Sequence, residues 1–237
     1  MLLLKHQCSR YDNFLRIDKL LEAAKDYKYL LNRGYNTIAS LNLVSSHYRL
    51  SKQERLALYR SVHSNKIASS ILKKTVSSRD VSMGILVIDG FNVLITLTAA
   101  LYCKQLIKGD DGFVRDVLGV FGRVKYNLTF FKAVHYLVFS LSSLNIEKVV
   151  VVLDKNVKWS KFFSDIMYKV LSVYVPYPLI VLARKSDKRI LSLDGIISSS
   201  DIVILMQAKK VFDIAGYIIN QYMRYDNIID ISRMATT

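Results

Sequence analysis

Proline and glycine are scarce in this chain, 2 and 9 of 237 residues, so its loops should be few and mostly short. Cysteine is nearly absent as well. Cys8 and Cys103 fall in no metal-ligand spacing and suggest neither a disulfide framework nor a secretory context, which makes a reducing cytoplasm the expected setting. No Gly-rich phosphate loop of Walker or dinucleotide form is present. His6, His47, His63 and His135 show no ligand spacing. Met1–Leu4 is too short for a signal h-region and runs into Lys5 and His6. The apolar run from Ile85 to Cys103 could span a bilayer by count, but it contains Asp89, Gly90 and Asn92. A carboxylate at mid-span is expensive in lipid. The run therefore reads as strand, turn and helix, and no membrane partner is expected.

What remains is apolar and basic. Hydrophobic residues make up 51% of the chain, enough for a well-buried core and too many for disorder. The formal net charge is +15 and the pI about 9.7. A field of that sign and size points to a polyanionic partner, nucleic acid or an anionic membrane surface. The charge is uneven: residues 1–80 hold 15 Lys+Arg against 6 Asp+Glu, and the remaining 157 hold 19 against 13.

Residues 1–80 are the expected first domain, small, basic and all-α. Leu15, Leu20, Leu21, Ala24, Tyr27, Leu30 and Leu31 recur at helical spacing, with Gly34 as the stop. A second helix covers Thr37 to Tyr48, with Ile38, Leu41, Val44 and Tyr48 inward. Ser51-Lys52-Gln53-Glu54 has capping-box form and should start a third helix. A helix pair with a short turn, carrying Arg49, Lys52, Arg55 and Arg60 as candidate nucleic-acid contacts, resembles helix-turn-helix modules. The alternative is a docking bundle whose basic residues are a solvated face. Tyr48 and Tyr59 lie near these cations and could stack on bases, though packing is the commoner fate of tyrosine.

Ser77-Ser78-Arg79-Asp80 is the best boundary, and residues 81–237 are the expected second domain. Its pattern alternates: a strand at 84–89, a helix at 92–106, a polar turn at 108–112, and a helix from Val114 that continues, with interruption, to Leu144. Further strands are expected at Glu147–Leu153, Leu179–Ala183 and Gly195–Ser198. Further helices are expected at Trp159–Val173, Ser186–Leu193 and Val211–Arg224, with a further element beginning at Ile202–Met206. Alternation of this kind implies an α/β fold with a parallel sheet flanked by helices.

The acids carry the most information. Residues 81–237 contain 12 Asp but a single Glu, and several Asp sit where a strand ends: Asp89 after ILVI, Asp154 after VVVVL, Asp187 shortly after LIVLA, Asp201 after GIISSS. Asp110, Asp111 and Asp116 lie near the start of the intervening helix. Neighbouring parallel strands are about 4.8 Å apart, so carboxylates at their ends fall within reach of one cluster. Such a cluster stays ionised only when a cation or ligand compensates it, and hard ions such as Mg²⁺ or Mn²⁺ prefer all-oxygen sites. Any single one of these Asp is more often a turn former or helix cap. Their arrival in register shifts the balance.

Ile88-Asp89-Gly90-Phe91-Asn92 is similar to the opening motif of PIN-like nucleases, especially the NYN branch, whose first strand ends in Asp-Gly-Tyr/Phe-Asn. Val150–Asp154 looks like that branch's second strand. Ser186-Asp187-Lys188-Arg189-Ile190 resembles its Ala-Asp-x-x-Ile motif, and Ser199-Ser200-Asp201 its Thr-Ser/Asn-Asp motif. The resemblance implies a PIN-like parallel sheet with Asp89, Asp187 and Asp201 as metal ligands and Asn92 in support. It also implies a helix-borne acid, assigned to Asp116 with Asp111 as rival. Asp154 would be a further ligand or orient water, and Arg115 would contact nucleic acid. The wider pattern, Arg33-Gly34-Tyr35, the segment from Val44 to Arg60, and Asp110–Asp116, is similar to archaeal proteins grouped as domain of unknown function 434.

Together these readings imply a cytoplasmic ribonuclease, using Mg²⁺ or Mn²⁺, with RNA as substrate, DNA as the other candidate polymer, and homodimerisation left open. A catalytically inactive PIN-like scaffold that binds RNA or a ribonucleoprotein is the second expectation. A metal-dependent phosphatase or nucleotide hydrolase is the third.

Overall fold

The structure, a computed structural model, describes residues 15–82, 84–117 and 125–232. Four helices open it: α1 (Ile17–Asn32), α2 (Thr37–His47), α3 (Lys52–Ser61) and α4 (Asn65–Lys74), followed by the short α5 (Ser78–Val81). Gly34, at φ +83°, follows α1. The capping box forms at α3, Ser51 accepting from the Glu54 amide while Glu54 accepts from that of Ser51. Leu41 and Val44 point inward as expected from helical spacing, but Ile38 is half exposed because it lies in the first turn, beside the Asn36 cap.

Next come β1 (Ile85–Asp89), α6 (Gly90–Leu101), β2 (Leu106–Lys108), β3 (Val114–Asp116), α7 (Leu128–Ser143), β4 (Lys148–Asp154), α8 (Ser160–Tyr174) and β5 (Leu179–Ala183). The chain continues with α9 (Ser186–Leu191), β6 (Ile196–Ser198), α10 (Ile202–Gln207), α11 (Ile214–Ile218), a π-helical turn (Ile219–Met223) and β7 (Ile228–Asp230). Strands β5-β4-β1-β6 form a four-stranded sheet, parallel throughout. Alternation along the strands divides its faces. Leu86, Ile88, Val149, Val151 and Leu153 pack towards α6, α7 and α8. Val87, Val150, Val152 and Ile197 pack towards Ile71 of α4, Ile190 of α9, and Ile204 and Leu205 of α10. Both faces are covered, which is why these strands read as unbroken apolar runs.

Three expectations need correction. The helix expected from Val114 is a strand: β3 pairs antiparallel with β2, and β7 joins β2 in parallel to complete a second, three-stranded sheet. Strands of three residues are too short to display a period. The helix expected over Val211–Arg224 begins only at Ile214, since Val211 forms bridges with Thr75 and Ile197. Cys103 is disulfide-bonded, which its sequence surroundings do not signal. The helical segment also shares its core: Leu20, Tyr27, Leu41 and Leu58 pack with Ile107, Val117, Ile229 and Ile231. Among the described residues, no helix is long and apolar enough to cross a membrane.

Gly90 shows how tightly the β1–α6 junction is built. A Cβ there would come within 2.6 Å of Leu153 Cδ2, 2.8 Å of Val151 Cγ1 and 3.2 Å of the Val152 carbonyl. Gly90→Ala should therefore destabilise the protein by roughly 1–3 kcal/mol, read as a lower urea midpoint at unchanged slope. An unchanged midpoint would mean that the junction is loose.

Candidate active site

The chain runs from β1 to β4 and β5 on one side, then returns to place β6 on the other side of β1. This reversal opens a crevice at the carboxyl ends of β1 and β6, where open α/β sheets bind ligands. Asp89 ends β1 and Asp201 follows β6. Asp187 lies in the first turn of α9, a helix that packs across β1 and β4.

Hydrogen bonds hold the loop from 199 to 201 over Asp89. Ser199 Oγ donates to Asp89 Oδ2 (2.8 Å) and accepts from the Asp201 amide (3.1 Å). Asn92 Oδ1 accepts from both the amide and the hydroxyl of Ser200, at 3.0 and 2.9 Å. Asp201 Oδ1 accepts from the Val203 amide at 2.7 Å. Arg115, 1% exposed, reaches the same loop from beneath, its Nε donating to the Ser200 carbonyl at 2.9 Å. Ser199 and the inward role of Arg115 were missed from sequence. Ser199 fills the Thr position of the Thr-Ser/Asn-Asp motif, a place that marks the residue without showing that it touches Asp89.

The acids divide into two groups. Asp111 is fully buried and takes both guanidinium nitrogens of Arg115, Nη1 at 2.7 Å. Asp110 accepts from Lys28 Nζ (2.7 Å), the His63 amide (2.9 Å) and His63 Nδ1 (2.8 Å). Asp116 lies on β3 rather than on a helix, and Arg60 Nη1 donates to its carboxylate (2.9 Å) and to its carbonyl (2.8 Å). Asp154 bends back on the turn after β4, accepting from the amide and side chain of Asn156. By contrast, among the described residues no lysine or arginine pairs with Asp89, Asp187 or Asp201.

Burial pushes the Asp89 carboxyl up to about 7; the Ser199 hydroxyl opposes this, while the charges of Asp201 and Asp187 add to it. Asp187 and Asp201 are thus near enough for their charges to act on Asp89. They are not closed into a ready-made cage. Among the described residues, the one group of potential ligands within 4.8 Å of each other is His63, Asp110 and Asp111. That group is already neutralised by Lys28 and Arg115, so a divalent ion would have to displace them. The Asp89 crevice fits a hard cation better, because Mg²⁺ keeps several waters and typically uses only one or two carboxylates.

The basic residues behave differently from the sequence expectation. Arg115 is sealed inside and cannot touch a nucleic acid. Arg60 is committed to Asp116, and Arg55 donates to Asn42 and to the Leu41 carbonyl, so helix docking has claimed these cations. Arg49 and Lys52 remain exposed.

A helix-flanked parallel sheet with an acid-lined crevice defines the class. The chain belongs to the family described as Domain of unknown function (DUF5616), which matches residues 78–217. Residues 19–74 match the family described as Protein of unknown function (DUF434). Uncharacterized protein MJ0935 of Methanocaldococcus jannaschii is 31% identical over 189 residues, covering 80% of this chain and 90% of the relative. No solved structure matches the chain.

Two outcomes follow. The ordinary Asp89 carboxyl titrates near 3.8 and the folded one near 7, so the folded state holds a proton that the unfolded state has lost. Metal-free stability should fall as pH rises between those values. In EDTA, Asp89→Asn should gain stability relative to the parent between pH 5 and pH 8; a difference constant with pH would refute the assignment. Arg115→Met should cost about 3–5 kcal/mol, because it strands Asp111 buried and unpaired. Arg115→Met combined with Asp111→Leu should recover part of the loss in chemical denaturation.

Proposed function

We propose that this protein is a PIN-like, divalent-metal-dependent ribonuclease whose site is built on Asp89, Asp187 and Asp201. The observation that carries the reading is the contrast in pairing: among the described residues no cationic side chain pairs with Asp89, Asp187 or Asp201, while Asp110, Asp111 and Asp116 each have one. Uncompensated carboxylates facing one crevice favour an external cation. The net charge of +15 favours a polyanionic substrate.

When bound, Mg²⁺ or Mn²⁺ would lower the pKa of a water and offset charge on the phosphate. Asp89 and Asp201 would hold the cation, with Asp187 reaching it directly or through water. Ser199 orients the Asp89 carboxylate, and Asn92 and Arg115 hold the loop that carries Asp201. Hydrolysis adds water across one phosphorus–oxygen bond, and the leaving oxygen takes up a proton. Asp116 and Asp154 have structural roles in this reading, as the Arg60 partner and as a turn former.

Incubation with RNA oligonucleotides and Mn²⁺ should give cleavage that EDTA abolishes. Asp89→Asn and Asp201→Asn should each lower the rate about a hundredfold or more, while Asp154→Asn should lower it by less than about tenfold. Absence of cleavage in the parent, or cleavage indifferent to Asp89→Asn, would refute the proposal. Metal-independent binding without hydrolysis would favour the scaffold.

A further inference from the structure

A cavity of about 190 Å³ opens between α3 and the start of α10. Leu56, Tyr59 and Arg60 line it from the helical segment; Ser200, Asp201, Ile202 and Val203 line it from the loop that overhangs Asp89. We infer that this cavity is a nucleobase subsite, with Tyr59 as its stacking platform, for a nucleotide next to the phosphate at the acid crevice. The inference rests on the ribonuclease reading for the identity of the polymer.

Position is the first argument. Ser200 and Asp201 belong to both the cavity and the crevice, so a ligand in one is a direct neighbour of a ligand in the other. Size is the second. Drug-sized ligands occupy roughly 300–1,000 Å³, and a smaller cavity suits a single ring system. Chemistry is the third. Leu56, Tyr59, Ile202 and Val203 give apolar and aromatic walls, and Tyr59 and Val203 remain 42% and 53% exposed. Ser200 and Asp201 supply the polar part of the wall, which suits a flat base attached to a charged backbone.

Charge supplies the fourth argument. Lys52 is one helical turn before Leu56 and two before Tyr59 and Arg60, hence on the same face of α3, and it is exposed. It can meet a phosphate flanking the inserted base. The helical segment would then contribute to substrate choice through this wall rather than through a groove-reading helix, since Arg55 and Arg60 already donate to groups of the protein itself.

The test uses the full chain with fluorescent single-stranded and duplex oligoribonucleotides of one length, in EDTA, so that binding is read apart from cleavage. Tyr59→Ala should weaken single-strand binding about tenfold and leave duplex binding within about twofold, whereas Tyr59→Phe should bind like the parent. Val203→Trp, which fills the cavity from the opposite wall, should reproduce the loss. Equal losses on both RNAs, no loss, or Tyr59→Phe failing like Tyr59→Ala would overturn the inference. So would a change of oligomeric state in Tyr59→Ala, which would assign the cavity to a second copy of the chain. Tyr59-dependent binding without Mn²⁺-dependent cleavage would preserve the subsite while refuting the nuclease.

Discussion

A guanidinium sealed from water stays charged only if an anion and hydrogen-bond acceptors are sealed in with it. Arg115 meets that requirement with Asp111 on one edge and the Ser200 carbonyl on another. The arrangement fixes more than a pair of side chains. It sets the turn before β3 against the loop after β6, and that loop carries Ser199 and Asp201. Gly109 fits beneath it because a Cβ there would approach Arg115 Nη1 and Asp111 Oδ1 to 2.7 Å.

From this pair the hydrogen bonds extend in two directions. Towards the crevice, Ser200 is held by Asn92, and its neighbour Ser199 holds Asp89. Towards the helical segment, Asp110 binds His63 and Lys28, and Asp116 binds Arg60. The small second sheet therefore acts as a connector: one edge of its β2–β3 turn is ionically tied to the helices, and the other is tied to the crevice loop. Asp213 closes the remaining side, accepting from the Val114 and Gly216 amides while burial raises its carboxyl to about 6.

The same residue type serves opposite ends here. Asp110, Asp111 and Asp116 are compensated from within and act as fasteners. Asp89, Asp187 and Asp201 have no cationic partner among the described residues and so leave their end of the sheet acidic in a strongly basic protein. Spacing along the chain cannot separate the two groups, because each follows or borders a strand. For Asp110 and Asp116 the cation comes from helices brought in from 50 or more residues away, Lys28 and Arg60, whereas Asp111 meets Arg115 only because β3 turns that side chain inward.

Much was legible in the chain before folding. Runs such as Val149–Leu153 declared strands buried on both faces, Ser51–Glu54 declared its helix start, and Asp-Gly-Phe-Asn marked the end of β1, because these signals are local and depend on period or capping chemistry. The short strands β2, β3 and β7 were illegible, since three residues carry no period and the pairing of β7 with β2 joins segments more than 110 residues apart. Sequence alone thus determined the parallel sheet, its order of strand and helix, and the placing of Asp89 and Asp201 at carboxyl ends. Only tertiary structure decided that Arg115 faces inward, that Asp116 is a fastener on a strand, and that Ser199 touches Asp89. Those outcomes turn on contacts set by packing and by the pairing of the charges that packing buries around Arg115.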